Sequence, residues 1–145
     1  MKSMTRPTIS AVQEEIIQEF QSLEGDRERM LTYIMELGER LPAMNPKHKN
    51  EHNTIKGCMA TVWLTYTKQD GRLFFEGDSN TAITKGLISL LLRVLSGQEV
   101  EAIIHANLYF VGKINMMQLI GSQRAGGFAQ MVKQIKLIAI SQRHK

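Results

Sequence analysis

The sequence predicts an α+β fold in which a small antiparallel β-sheet packs against several helices. Thr61, Trp63, Thr65 and Thr67 alternate with Val62, Leu64 and Tyr66, a strand pattern rich in β-branched and aromatic side chains. Gln69-Asp70-Gly71 then supplies a turn into Arg72-Leu73-Phe74-Phe75-Glu76, which completes a hairpin. Apolar residues recur at helical spacing on both sides of that hairpin. Two strands alone are marginal, so a third short strand is expected from 54–57 or elsewhere, with helices over the sheet's apolar face.

Residues 1–9 are expected to be loose. Ser10 is placed to cap a first helix to about Leu23, with Val12, Ile16, Ile17 and Phe20 on its apolar face. Gly25-Asp26 breaks it. A second helix from about Arg27 turns Met30, Tyr33, Ile34 and Leu37 inward until Pro42 prevents continuation. Residues 42–57 lack periodicity and carry Pro42, Pro46, Lys47, His48, Lys49, His52 and Lys56. Such a long exposed loop must be tied down or mobile, and loops of this kind often carry function.

Beyond the hairpin, Gly77-Asp78-Ser79-Asn80 reads as a turn that can cap a helix over about 80–95. Ile83, Leu87, Leu90, Leu91 and Val94 make that helix apolar enough to be central. Ser96-Gly97-Gln98-Glu99 matches a capping box for a shorter helix to about Ile104. Residues 105–120 suggest short helical turns. Gly121-Ser122 opens a last helix that buries Phe128, Met131 or Val132, Ile135, Ile138 and Ala139.

With 145 residues, 43% apolar and 22% charged, the chain has the balance of an ordinary soluble protein and the length of one domain, 1–145. Its longest strongly apolar stretch, Gly86 to Leu92, stops at Arg93 and is too short to span a bilayer. No secretory signal is visible, so a cytoplasmic protein with no membrane partner is expected. The net charge of +4 is uneven: residues 1–45 carry five basic and eight acidic groups, residues 102–145 six basic and none acidic. A basic tail suits an acidic protein face or a nucleic acid, and a solvated helix face is the plainer reading. The Lys/His loop lacks the interleaved aromatics of a single-strand platform, so no nucleic-acid partner is expected.

Cys58 is the only cysteine. One thiol cannot close an intramolecular disulfide or supply a zinc or iron–sulfur ligand set by itself. Its chemistry is therefore that of a single sulfur, as nucleophile, redox sensor or carrier, unless it is merely a small buried hydrophobe. Gly57 permits tight backbone geometry beside it, and Lys56 and His52 can stabilise a thiolate if they fold towards it. The residues alone leave the two readings balanced.

Other candidates are weaker. His48 and His52 are four apart, but in a loop and without the glutamate of a hydrolase zinc motif, so no metal is expected. Glu76 and Asp78 fit helix capping. Trp63 fits the hairpin core. Arg124 stands near a helix start, where the dipole disfavours a cation, so it should have a partner, either a structural carboxylate or a site near Cys58.

Four blocks of sequence carry a likeness. They are Tyr33 to Pro42, Ile55-Lys56-Gly57-Cys58-Met59-Ala60-Thr61-Val62-Trp63-Leu64, Gly77-Asp78-Ser79-Asn80-Thr81-Ala82-Ile83-Thr84-Lys85-Gly86-Leu87, and Arg124-Ala125-Gly126-Gly127-Phe128-Ala129-Gln130-Met131. In this order the chain resembles the SufE/CsdE family of sulfur-acceptor proteins over about residues 10–140. The resemblance implies a compact α+β domain, also similar to the iron–sulfur scaffold (IscU-like) fold. It places the acceptor cysteine at Cys58, with Lys56, Gly57, Met59, His52, Asp78, Asn80 and Arg124 as supporting or partner-binding residues.

The implied partner is a cysteine desulfurase (SufS/CsdA-like) that carries the pyridoxal phosphate itself. It would pass sulfur to Cys58 as a transient persulfide, destined for an iron–sulfur scaffold complex (SufBCD-like) or another acceptor. No cofactor is implied for the resting chain. The chain departs from the family pattern at Asn80, commonly acidic, at Asn115, commonly glycine, and at Gly121-Ser122, usually Ser/Thr-Pro.

Overall fold

The computed structural model describes residues 6–145. Its helices are α1 (Ile9–Gln21), α2 (Arg27–Glu39), α3 (Ala82–Leu95), α4 (Val100–Ile104), α5 (Phe110–Lys113), α6 (Met116–Ile120) and α7 (Ser122–Ser141). Its strands are β1 (Val62–Gln69), β2 (Arg72–Ser79) and β3 (Gln98–Glu99), joined as one antiparallel sheet in the order β1-β2-β3. The fold class is α+β, as the sequence predicts.

Of the segment expected to be loose, residues 1–5 lie outside the described residues. Residues 6–9 are held in place: Arg6 lies over the Phe74 ring, Pro7 O accepts from Gln98 Nε2, and the Thr8 hydroxyl accepts from Ala11 N. Thr8, not Ser10, therefore caps α1. Asp26 caps α2 by accepting from Arg29 N.

Asp70 and Gly71 have φ of +53° and +78°, the paired left-handed conformations that suit a two-residue hairpin turn. Val62, Leu64 and Leu73 are buried in the core beneath α3. Gly77 lets Ile88 and Leu92 approach the strand, for a Cβ there would stand 3.0 Å from Ile88 Cγ1. α3 is the central helix, packed on the sheet, on α2 and α1, and on α7.

Two expectations are corrected. The chain from Gly77 to Ser79 is not a turn; it continues β2 opposite Leu64, Trp63 and Val62, and α3 begins at Ala82 with no side-chain cap. Ser96-Gly97-Gln98-Glu99 is not a capping box. Ser96 Oγ accepts from Phe75 N, and Gln98 and Glu99 pair with Leu73 and Arg72 as the third strand. Satisfying the open edge of β2 outweighs a cap on a helix of five residues. The expected third short strand is thus β3, not residues 54–57, where Thr54 makes an isolated bridge to Trp63.

The 42–57 loop folds back over the outer face of the hairpin, through short 3-10 turns at Pro46–His48 and Glu51–Asn53. Met44 and Ile55 are its buried anchors. His48 Nδ1 lies 2.7 Å from Glu76 Oε1, and Lys49 Nζ lies 2.9 Å from Asp78 Oδ2 and 5.2 Å from the Trp63 ring centroid. Glu76 and Asp78 are thus fasteners for the loop, not helix caps, and Trp63 is half-buried beneath it. The loop's basic residues find their partners on β2 because alternate strand residues point to the same face.

Candidate functional site

Cys58 occupies the tip of a tight loop, residues 56–61. Its neck is closed by Ile55 N donating to Val62 O at 2.9 Å and by the Thr54–Trp63 bridge. The second leg is fixed to the end of β2. Thr61 N donates to Asn80 Oδ1 (3.0 Å), Ser79 Oγ donates to Thr61 O (2.8 Å), and Asn80 N donates to Thr61 O (3.2 Å). Gly57 turns the chain at φ +83°, and a Cβ at that position would press on Gln130 Cγ at 3.0 Å. The tip therefore leans on α7.

There the Cys58 thiol is half-buried and donates a long contact to Gly127 O at 3.5 Å. Burial pushes its pKa above that of an ordinary cysteine. Lys56 and His52, expected beside a thiolate, are elsewhere: Lys56 pairs with Glu51 in solvent, and His52 is exposed on the second 3-10 turn. The loop turns outward at Lys56 before it turns back at Gly57, so adjacency in sequence does not become adjacency of charge. The resting thiol is therefore neutral and quiet at neutral pH. Alkylation of Cys58 by iodoacetamide is expected to follow a pH profile whose midpoint lies above about 8.5, the value for a free cysteine. A midpoint at or below that value, read by mass spectrometry, would contradict this environment.

Asp78 is buried at 4% exposure between Lys49 and Lys85, and its Oδ1 accepts from Ser79 N. Burial pushes its carboxyl up, but the Lys49 ion pair, the Ser79 N–H and Lys85 together outweigh it and hold the group below the usual carboxylate range. A carboxyl with a lowered folded-state pKa adds stability above its unfolded pKa and loses it as pH falls through the folded value. Asp78→Asn is expected to cost about 1–3 kcal/mol at neutral pH. The gap to the parent should close in strong acid, where both carry a neutral side chain. Denaturant melts at the two pH values check this, and a gap that persists unchanged in acid would contradict it.

Met59 is 79% exposed beside the cysteine. With Ala60 it borders an open cavity of about 720 Å³ that reaches across to Asn80, Ile120 and Arg124. Among the described residues Arg124 meets no carboxylate; its Nη1 donates to Ile120 O at 3.2 Å, one turn back. The structure thus gathers Cys58, Met59, Asn80 and Arg124 around one end of the sheet, while Asp78, Lys56 and His52 stay on the loop side. Sequence reasoning does not find Gly127, which carries the thiol's resting contact. Its place in the Arg124–Met131 block is the available signal.

Of the six basic residues in 102–145, Arg143 pairs with Glu101, Lys136 donates to the carbonyls of Ile104 and Ala106, and Arg124 is bound to Ile120 O. The basic tail is therefore partly consumed internally. Among the described residues, no group of three or more His, Cys, Asp or Glu side chains is placed to hold a metal, and no helix is long and apolar enough to cross a membrane.

An α+β domain with one half-buried cysteine at a loop tip is the class of protein that the fold and site define. The chain belongs to the SufE family: the family's model, described as an Fe-S metabolism associated domain, matches residues 14–139. It is 34% identical over 128 residues to an uncharacterized SufE-like protein of Rhizobium meliloti (strain 1021), covering 85% of this chain and 91% of that one. An uncharacterized SufE-like protein of Rhizobium etli is also 34% identical over 128 residues, at 85% and 86% coverage. The solution structure of a hypothetical protein from Thermus thermophilus shares the fold, with a TM-score of 0.73 at 15% identity over 90% of this chain and 94% of that one.

Proposed function

We propose that this protein is a sulfur acceptor and carrier in iron–sulfur metabolism, loaded by a cysteine desulfurase that it stimulates. The observation that supports this best is the setting of Cys58: a lone, half-buried thiol on a loop tip, packed on the core with one long hydrogen bond of 3.5 Å among the described residues, and flanked by a glycine at φ +83° and an exposed methionine. Such a tip can leave Gly127 without unfolding the sheet, because the neck bonds at Ile55 and Thr61 lie on either side of it.

The transfer balances without an outside oxidant. Cys58 loses its proton as it leaves its sheltered position, and the thiolate attacks the outer sulfur of the donor's persulfide. A new S–S bond forms on Cys58, the donor's S–S bond breaks, and the donor cysteine departs as a thiolate. The pyridoxal phosphate that makes the donor persulfide belongs to the desulfurase. Return of the tip to Gly127 would shelter the new persulfide, and with no second cysteine in the chain to resolve it, the sulfur leaves to another protein. An iron–sulfur scaffold complex, or another sulfur-using acceptor, receives it.

The test incubates the protein with its cognate desulfurase and cysteine, then looks for a mass gain of one sulfur on Cys58. No gain, with the desulfurase separately shown to be active, sinks the carrier reading.

A further inference from the structure

The cavity beside Cys58 has a feature that sulfur transfer does not use. The first turns of two long helices, α3 of 14 residues and α7 of 20, both open into it, and neither has a side-chain cap. Among the described residues, no acceptor meets the backbone N–H groups of Ala82, Ile83 and Thr84, or of Ser122, Gln123 and Arg124. First-turn N–H groups attract anions through their open donors and the helix dipole.

Two side chains add independent weight. Thr84 lines the cavity at only 6% exposure, and among the described residues its hydroxyl has no hydrogen-bond partner. A buried hydroxyl left unpaired is costly, so it marks a place for a polar ligand. Arg124 also lines the cavity and spends only Nη1, on a backbone carbonyl.

We propose that this cavity binds a carboxylate carried on an apolar stem. The planar guanidinium of Arg124 suits a bidentate carboxylate. The apolar walls contributed by Met35, Met59, Ala60, Ile83 and Ile120 cover a hydrocarbon stem, which an inorganic oxyanion lacks. The carboxylate is either that of a small free acid or that of an acidic side chain on a protein docking beside Cys58. The site goes beyond the sulfur-acceptor reading.

The experiment titrates the full ¹⁵N-labelled chain with sodium butyrate, with neutral butyramide, with inorganic phosphate, and with an acetylated, amidated Leu-Glu-Leu peptide, all at matched ionic strength. Butyrate or the peptide should shift the amides of Ile83, Thr84, Gln123 and Arg124 saturably, and butyramide should not. Arg124→Gln should weaken binding about tenfold or more. Thr84→Val, which keeps the shape and removes the hydroxyl, should weaken it about fivefold. Tighter binding of the peptide assigns the carboxylate to a docking protein, and tighter binding of butyrate to a free acid. Absence of saturable shifts with both carboxylates, equal shifts with butyramide, tighter binding of phosphate, or unchanged affinity in Arg124→Gln would each overturn the proposal. No desulfurase and no sulfur enter the titration, so its outcome is separate from the persulfide measurement on Cys58.

Discussion

Cys58→Ser is expected to abolish sulfur uptake completely, with no detectable mass gain, and to return the desulfurase to its unstimulated turnover. The substitution changes one atom at the loop tip. A serine hydroxyl at that place keeps a donor for Gly127 O, now held through sulfur at 3.5 Å, and fills nearly the same half-buried space. Stability should therefore change by less than about 1 kcal/mol. The hydroxyl is too weakly acidic to attack a persulfide sulfur at neutral pH, so the chemistry fails while the docking surface remains. Partner binding, followed by calorimetry, should be unchanged. An adaptor that stimulates the desulfurase by contact alone predicts the opposite pattern, full stimulation by Cys58→Ser. A basic nucleic-acid binder predicts salt-sensitive binding to RNA or DNA through α7, which Cys58→Ser would leave in place.

The elements whose periodicity is strong are legible in the amino-acid sequence. α1, α2, the hairpin, α3 and α7 fall within a few residues of where their apolar spacing puts them, because each buries one continuous face. The segments that depart from expectation are those in which a distant partner decides the conformation. Gly77-Asp78-Ser79 carries the composition of a turn, yet pairing with Val62, Trp63 and Leu64 keeps it extended. Gln98-Glu99 has the chemistry of a cap, yet the free edge of β2 takes it as a strand. Gln13 is invisible on the polar side of a helical pattern. It is 1% exposed, and its amide both donates to Asn107 O and accepts from Phe110 N, fixing the poorly periodic segment ahead of α5.

The site divides in the same way. Cys58 and its glycine are legible as a motif, but the charges around them are not. Lys56 is two residues from the thiol in sequence and turned to Glu51 in space, while Lys49, nine residues away, reaches Asp78 on β2. The Gly-Asp-Ser and Lys-Gly-Leu pieces of the third sequence block also acquire a shared physical reason. Asp78 meets Lys85 at 3.5 Å, and Ser79 ties the cysteine loop through Thr61.

Gly86→Ala is expected to destabilise the domain severely, although local propensity alone predicts the reverse. A mid-helix glycine is about 1 kcal/mol worse than alanine, so the substitution should help α3 in isolation. In the fold, a Cβ at Gly86 would stand 2.0 Å from Ile34 O and 2.5 Å from Ile34 Cγ2. Gly38 answers from the other side, where a Cβ would lie 2.7 Å from Gly86 N. The backbones of α2 and α3 are thus in direct contact at this crossing, and the obstacle is a helix carbonyl that cannot rotate away. To bring the contact with Ile34 O back to 3.0 Å the helices must part by roughly 1 Å, opening the packing of Ile34, Leu37, Leu87 and Ile88. Overpacking of this kind costs about 1–3 kcal/mol and more when backbone must move, so a net loss of about 2–4 kcal/mol is expected after the propensity gain. That is a large share of a stability of about 5–15 kcal/mol. Gly126→Ala supplies the contrast within the same protein. Gly126 is exposed in α7 with nothing within 4 Å of an added Cβ, so propensity acts unopposed and about 0.5–1 kcal/mol should be gained. Urea midpoints of the two variants should move in opposite directions from the parent. A rise for Gly86→Ala would mean that α2 and α3 do not cross backbone to backbone.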